Sequence, residues 1–197
     1  LAVHSTAGVD DGYLAYRAVP EGDWFTNPDK TIRVTDLVAH NDGAYRDLWR
    51  YLLSIDLVDV VEIDSLSLDD PLPLLLTDPR AAQLGPTRDE TWLRLIDVPR
   101  ALAERSYRPG PSATIAVLDP QLPANQGSYR ISADEVVRTD QSTELTVGVG
   151  DLATVYLGGT RWWQLARTGR VSAPPQVISR LDELFATDIT PFAGTHF

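Results

Sequence analysis

The chain contains no cysteine and no methionine. The first absence excludes disulfides, Cys-ligated zinc, iron–sulfur clusters and a cysteine nucleophile. The second leaves no initiator: the sequence opens at Leu1, and it reads as the C-terminal part of a longer protein. Gly12–Arg17 alternates apolar and polar residues like a strand with little ahead of it, so strand partners are expected upstream as well. Histidine is scarce. His4, His40 and His196 are far apart in sequence, and none has a carboxylate at metal-ligand spacing, so no metal site is expected.

Positive charge is also scarce. Lys+Arg number 17 against 28 Asp+Glu, for a net charge of −11, and Lys30 is the sole lysine. This balance argues against nucleic acid and anionic membrane surfaces, which select basic patches. It would concentrate cationic ligands such as polyamines, or it serves solubility alone. No apolar run approaches the ~20 residues of a membrane span, and no signal segment is visible; a cytoplasmic location is expected. With 197 residues, 43% hydrophobic and 23% charged, the composition is that of ordinary globular protein with room for one large domain or two small ones.

The chain then divides by pattern. Strands are expected at Gly12–Arg17, Ile32–Ala39 and Leu57–Ile63, with a polar turn at Glu21–Lys30. Asn41 or Asp42 caps a helix through Ile55, in which Ala44, Leu48, Tyr51, Leu52 and Ile55 form one stripe. Leu72–Leu76 is one helical turn or a docking segment. A polar loop from Asp78 to Glu90 leads to Thr91–Val98, which alternates as a strand, and Pro99 suits the first turn of a helix over Arg100–Arg105. The composition shifts at Tyr107–Ser112, giving domains 1–106 and 107–197. Beyond it, strand signals at Ala113–Leu118, Ser128–Ile131, Glu135–Arg138 and Thr143–Val149 suggest an antiparallel meander. Helices follow: Asp151 caps Leu152–Leu157, Gly158-Gly159 ends it, Thr160 caps Arg161–Arg167, and Pro174-Pro175 opens Gln176–Ala186. Both halves are α+β.

Most catalytic motifs are missing: there is no G-x-S-x-G elbow, no Walker loop and no H-E-x-x-H. No [Arg/Gln]-x-x-Gly-x-[Gly/Ala] run is present either, the loop whose backbone N–H groups hold the coenzyme A pyrophosphate in GNAT acetyltransferases. Asp10-Asp11, Asp69-Asp70 and Asp89-Glu90 are either acid/base pairs or solvated loop carboxylates. Asp97 precedes a helix and reads as its cap or as a substrate-facing carboxylate. Trp162-Trp163 reads as core, interface or a ligand stack.

Trp92–Leu102 (WLRLIDVPRAL), Tyr156-Leu-Gly-Gly159 and a terminal Phe197 together resemble the enhanced-intracellular-survival (Eis) acetyltransferases of actinobacteria. Leu48–Leu52 and the Asp70-Pro-Leu72…Asp78-Pro-Arg80 pattern fit as well, so the resemblance covers essentially the whole chain. It implies a degenerate GNAT-like mixed sheet with helices over 1–106 and a sterol-carrier-like α+β domain over 107–197. An N-terminal GNAT domain outside this chain would bind acetyl-CoA, so that this chain holds no cofactor and is inactive alone. Such enzymes acetylate primary amines of aminoglycosides, polyamines or lysines and form homo-oligomers. The resemblance makes the α-carboxylate of Phe197 the general base. Trp92 and Asp97 are expected in the wall of the amine pocket, and His196 beside the substrate, where an acidic residue would be expected. The competing reading is a lipid- or sterol-binding module over 107–197.

Overall fold

Ala7 and Gly8 both have positive φ, 51° and 81°, the backbone of a two-residue type I′ hairpin. They join β1 (Ala2–Thr6) to β2 (Val9–Ala18) as an antiparallel pair. The short stretch ahead of Gly12 is therefore itself a partner of the expected strand. A computed structural model describes residues 1–19, 29–87 and 91–194 of the chain. The polar turn expected at Glu21–Lys30 lies outside them except for Asp29 and Lys30.

The chain forms two units, Leu1–Pro86 and Thr87–Phe197. In the first, the sheet order is β1-β2-β3-β4. β3 (Thr31–Ala39) pairs antiparallel with β2, and β4 (Val60–Ile63) runs parallel to β3. A parallel neighbour requires a crossover, and α1 (Asp42–Leu53) supplies it. Asn41 caps α1 by accepting from the Ala44 N–H at 2.9 Å. Ala44 is buried, and Leu48, Trp49 and Leu52 form one buried cluster with Leu14, Ile32 and Val34. Of the expected stripe, Tyr51 turns outward and hydrogen-bonds Tyr16, while Trp49 takes the interior place. β4 is shorter than expected because Leu57 sits at φ 59°, where a strand cannot run. α2 (Leu72–Leu75) is the expected single helical turn.

The second unit holds α3 (Val98–Glu104), then β5 (Ala113–Leu118), β6 (Gly127–Ile131), β7 (Val136–Arg138) and β8 (Leu145–Gly148). Its sheet order is β7-β6-β5-β8. The expected meander holds for β5-β6-β7, but β8 joins β5 in parallel, so this sheet is mixed. α4 (Val149–Tyr156), α5 (Trp162–Arg167) and α6 (Pro175–Leu184) follow. Two expected caps are displaced. Gly148 is the N-cap of α4, with Asp151 paired to Arg170, and Arg161 is the N-cap of α5. Ile115, Val117, Leu152, Trp162, Leu181 and Leu184 lie in one buried cluster. Phe185 packs edge-on to both Trp162 and Tyr107, with ring centroids 5.2 Å apart in each pair.

Thr91–Val98 is not a strand: residues 91–97 carry no ladder, and α3 begins at Val98. Leu95, Val98 and Leu102 bury in the core of the second unit, so the packing changes at Pro86/Thr87, upstream of the compositional shift at Tyr107. No helix of the described residues is long and apolar enough to cross a membrane.

One charged cluster ties the edge strand β1 down. His4 lies 2.5 Å through Nδ1 from Asp11 on β2 and 3.2 Å through Nε2 from Asp47 on α1. Ionised carboxylates only accept, so both ring nitrogens donate and the ring is imidazolium. The Asp11 hydrogen bond raises the His4 pKa above 6.5, partly opposed by desolvation and reinforced by Asp47. The same contact, with help from Asn41, pulls Asp11 down to about 2. A raised histidine pKa gives stability that is complete below 6.5 and is lost as pH rises through the folded value. A depressed carboxylate gives stability present above 3.8 and lost as pH falls. The clasp is therefore strongest between those limits. The melting-temperature gap between the wild type and His4→Gln should be larger near pH ~5.5 than near pH ~9. Equal gaps would show that the imidazolium contributes nothing.

Candidate functional site

Asp119 follows β5 and has no solvent exposure, which a carboxylate tolerates only when fully paired. Arg94 Nη2 donates to both of its oxygens at 2.8 and 2.7 Å. The Gln121 and Leu122 N–H groups donate to Oδ1 at 3.1 Å each. The Asn125 amide donates to Oδ2 at 2.8 Å. Desolvation pushes the Asp119 pKa up, and these donors, Arg94 and Asn125 foremost, more than offset it, holding the group well below the usual carboxylate range.

Asn125, also buried, carries the network across to residues 96–98. Its Nδ2 donates to the Ile96 carbonyl at 3.1 Å, and its Oδ1 accepts from the Val98 N–H at 2.9 Å. A single side-chain amide thus holds this backbone by two hydrogen bonds, and the segment is fixed without belonging to a sheet. Asp97 Oδ1 accepts from the Arg100 N–H at 3.0 Å and caps α3, so one of its oxygens is occupied by that cap. Held this way, the segment turns Leu95 inward and leaves Trp92 87% exposed.

Arg105 follows α3. Its Nε donates to the Tyr156 carbonyl at 2.7 Å and its Nη2 to the Phe185 carbonyl at 2.6 Å. The guanidinium lies 4.8 Å from the Tyr107 ring centroid and 4.5 Å from that of Phe185. Burial lowers its pKa, yet an arginine keeps its charge. Beyond Phe185 the tail runs over the Gly158-Gly159 turn. A Cβ on Gly158 would stand 2.7 Å from Thr187 Oγ1, and one on Gly159 would be 3.4 Å from Pro191.

Trp92 and Asp97 thus share one clamped segment. Phe197 and His196 lie outside the described residues, as do Asp89 and Glu90. The other acidic pairs are engaged in structure. Asp10 accepts from Ser5, Asp11 is paired with His4, Asp69 accepts from Ser67, and Asp70 from Tyr45 and the Leu72 N–H. Trp162 is core, and its N–H and that of Trp163 donate from the α5 backbone to Asp182. Arg94, Asp119, Asn125 and Arg105 carry no sequence signal beyond the Asp119-Pro120 turn. The helix after β3 does not suit a pyrophosphate: Asn41 closes its N-terminus, Asp42 stands in its first turn and Asp11 accepts from Asn41.

The acetyltransferase (GNAT) domain family matches residues 1–108, and the sterol carrier protein domain family matches residues 98–194. The chain belongs to the GNAT acetyltransferase family. Its homologues include an uncharacterized N-acetyltransferase of Streptomyces griseus, 36% identical over 99% of this chain and 48% of the relative. N-acetyltransferase Eis of Mycobacterium tuberculosis is 33% identical over 91% of this chain and 43% of its own length. The crystal structure of Eis1 from Mycobacterium abscessus superposes with a TM-score of 0.90 at 49% identity, covering 94% of this chain and 48% of that one. The chain spans about half the length of these relatives. The Eis-type homology expected from the sequence stands, with its GNAT-like and sterol-carrier-type halves. The two family matches overlap at residues 98–108, across α3, whose apolar side chains pack in the second unit.

The clamp gives a stability prediction. Asn125→Ala removes the partner of the buried Val98 N–H and one donor to the buried Asp119 carboxylate, and it releases the Ile96 carbonyl. At roughly 1–3 kcal/mol for each buried polar group left unpaired, urea denaturation should register a loss of about 3 kcal/mol. A loss below about 0.5 kcal/mol would mean that water replaces the amide and that the clamp is not closed.

Proposed function

We propose that this chain is the part of an Eis-type N-acetyltransferase that presents the acceptor amine and its general base. Acetyl-CoA would be held by the half of the relatives that this chain does not match. Agreement with Eis1 over both units, at a TM-score of 0.90, carries the reading. The acceptors would be primary amines of the aminoglycoside, polyamine or lysine type, which suit a chain of net charge −11. The parent enzyme would be a cytoplasmic homo-oligomer.

The roles follow from chemistry. An ammonium must lose a proton before nitrogen can form a bond to an acyl carbon. The Phe197 α-carboxylate would take that proton. With an ordinary α-carboxyl pKa of about 3.5 it is too weak a base in water, and desolvation in an apolar pocket would raise it toward the working range. The exposed indole of Trp92 would form a wall against which the acceptor packs, by cation–π attraction for an ammonium. Asp97 has one oxygen held by the α3 cap, which leaves it the other for the amine. His196 would stand beside the substrate. The lipid-carrier reading is the weaker one, because Trp162 and Phe185 lie in the buried core of the second unit and pack edge-on with Tyr107, filling space that a lipid would need.

Two measurements test this. Adding one glycine after Phe197 in the full-length enzyme moves the negative charge and should lower kcat by ~10²–10⁴-fold, the usual loss for a positioned base. Phe197→Leu keeps the carboxylate and should be much milder. An extended enzyme with full activity would eliminate the tail as base. Separately, calorimetry should find no micromolar acetyl-CoA binding to residues 1–197, and such binding would move the coenzyme site into this chain.

A further inference from the structure

Arg105 is a half-buried cation whose recorded partners are carbonyls and ring faces rather than a carboxylate. Besides the Tyr156 and Phe185 carbonyls it donates through Nη1 to the Ser106 carbonyl at 2.7 Å. Its position explains this chemistry. Tyr156 is the last residue of α4, and Phe185 is the C-cap of α6. The last carbonyls of a helix lack partners in the helix and form the negative end of its dipole. One guanidinium between two such ends satisfies both. It also fixes the distance between two points of the chain that matter together, because two residues beyond Tyr156 is Gly158 and two beyond Phe185 is Thr187.

Those two residues meet. At Gly158, φ is +85°, and a Cβ would lie 2.7 Å from Thr187 Oγ1, 2.8 Å from Thr187 Cγ2 and 3.2 Å from the Phe185 carbonyl oxygen. Only glycine allows both that backbone conformation and that approach. Gly159 lies beside Pro191, close enough that a Cβ there would meet the proline ring at 3.4 Å. Arg108 adds two further ties, its N–H to the Leu184 carbonyl at 3.0 Å and its guanidinium to Asp188. The tail is thus engaged at Phe185, Thr187, Asp188 and Pro191 along a stretch with no helix or strand of its own.

We propose that Arg105 and the Gly158-Gly159 turn form a seat that fixes the course of the tail from Phe185 to Gly194. On the reading given above, in which the chain's last carboxylate is the base, they are positioning residues for that carboxylate. The seat itself does not require that reading. Its occupant is this chain's own tail, and it holds that tail whatever lies at its end.

The seat is tested on residues 1–197 by ¹⁵N relaxation. In the wild type, the amides of residues 187–192 other than Pro191 should give order parameters near the ~0.85 of rigid backbone, and Arg105→Lys should bring them below ~0.6. Lysine keeps the charge but is a point donor that cannot span two carbonyls as a planar fork does. Gly158→Ala should loosen the tail similarly, and Gly158→Ala with Thr187→Ala should restore much of its order by removing the side chain in the way. If strain at the positive φ were the whole effect, the second change would restore nothing, and the seat would be reduced to a helix cap. His4→Gln, which loosens a cluster in the first unit, should leave the tail ordered. A tail that stays rigid in Arg105→Lys and in Gly158→Ala overturns the seat.

The positioning role is read in the full-length enzyme with a diamine acceptor. Arg105→Lys should lower kcat at least tenfold with KM for acetyl-CoA unchanged. A loosened tail with unaltered kcat overturns the positioning role. The glycine extension reports on the base separately, so if the extension has no effect, the base reading falls while the seat is still decided by the relaxation data.

Discussion

A carboxylate with no access to water must gather donors from wherever the chain can bring them, and Asp119 sets the second unit in this way. Two donors are local backbone N–H groups, one is the Asn125 amide and one is the Arg94 guanidinium. The first three shape the turn after β5. The fourth reaches back to a segment that precedes α3 and has no strand to pair with. Because Asn125 binds that segment through both its carbonyl and its amide, residues 94–98 are fixed, and α3 starts where Asp97 can cap it. α3 in turn sets Arg105 between the ends of α4 and α6, from which the tail departs. Each step follows because a buried polar group left unpaired costs more than the conformational freedom lost in pairing it.

Much of the local structure was legible because periodicity is local. β2, β3, α1 and the opening of α6 at Pro174-Pro175 follow from apolar spacing and capping residues read directly from the chain. The same rule fails at Thr91–Val98. Trp92, Leu93, Leu95 and Ile96 supply strand-like bulk, but the backbone bends at Ile96 and joins no ladder. What pattern cannot supply is the identity of the partner, which here is a side chain 29 residues on from Ile96. The parallel pairing of β8 with β5 was hidden for the same reason, since direction is a property of the connection and not of the strand. Gly158-Gly159 was legible as the end of a helix, but the second use of Gly158, leaving room for Thr187, depends on contacts made across the fold.

The candidate site divides along the same line. The terminal residues came from resemblance to a family, and Trp92 and Asp97 from their place in its motif, whereas Arg94, Asn125 and Arg105 act through contacts that no spacing announces. In the first unit the absent pyrophosphate loop has a structural counterpart. GNAT enzymes offer phosphate a ring of free N–H groups at a helix end. Here the end of α1 is closed by Asn41, whose amide donates to Asp11, and Asp11 is held in turn by His4. Three negatively charged groups, Asp11, Asp42 and Asp47, stand on or beside this helix, and a coenzyme phosphate would have to displace a cap and face them.

The two clusters meet one requirement by opposite means. Around His4 the cation is matched by two carboxylates, so its contribution rises and falls with protonation. Around Arg105 the partners among the described residues are carbonyls and ring faces, and burial raises the pKa of the neighbouring Tyr107 and Tyr156 hydroxyls, which keeps them neutral. A guanidinium keeps its proton at any pH a protein survives, and carbonyl dipoles do not ionise. The β1 clasp is therefore sensitive to pH, whereas the Arg105 contacts are not; along the tail the ion pair of Arg108 with Asp188 is the tie that protonation of a carboxylate would weaken. A catalytic group carried on such a tail would keep its anchorage at Arg105 while its own carboxyl titrates, and removing the Asp188 carboxylate would separate the chemistry of the base from any loosening of the tail in the pH dependence of the reaction.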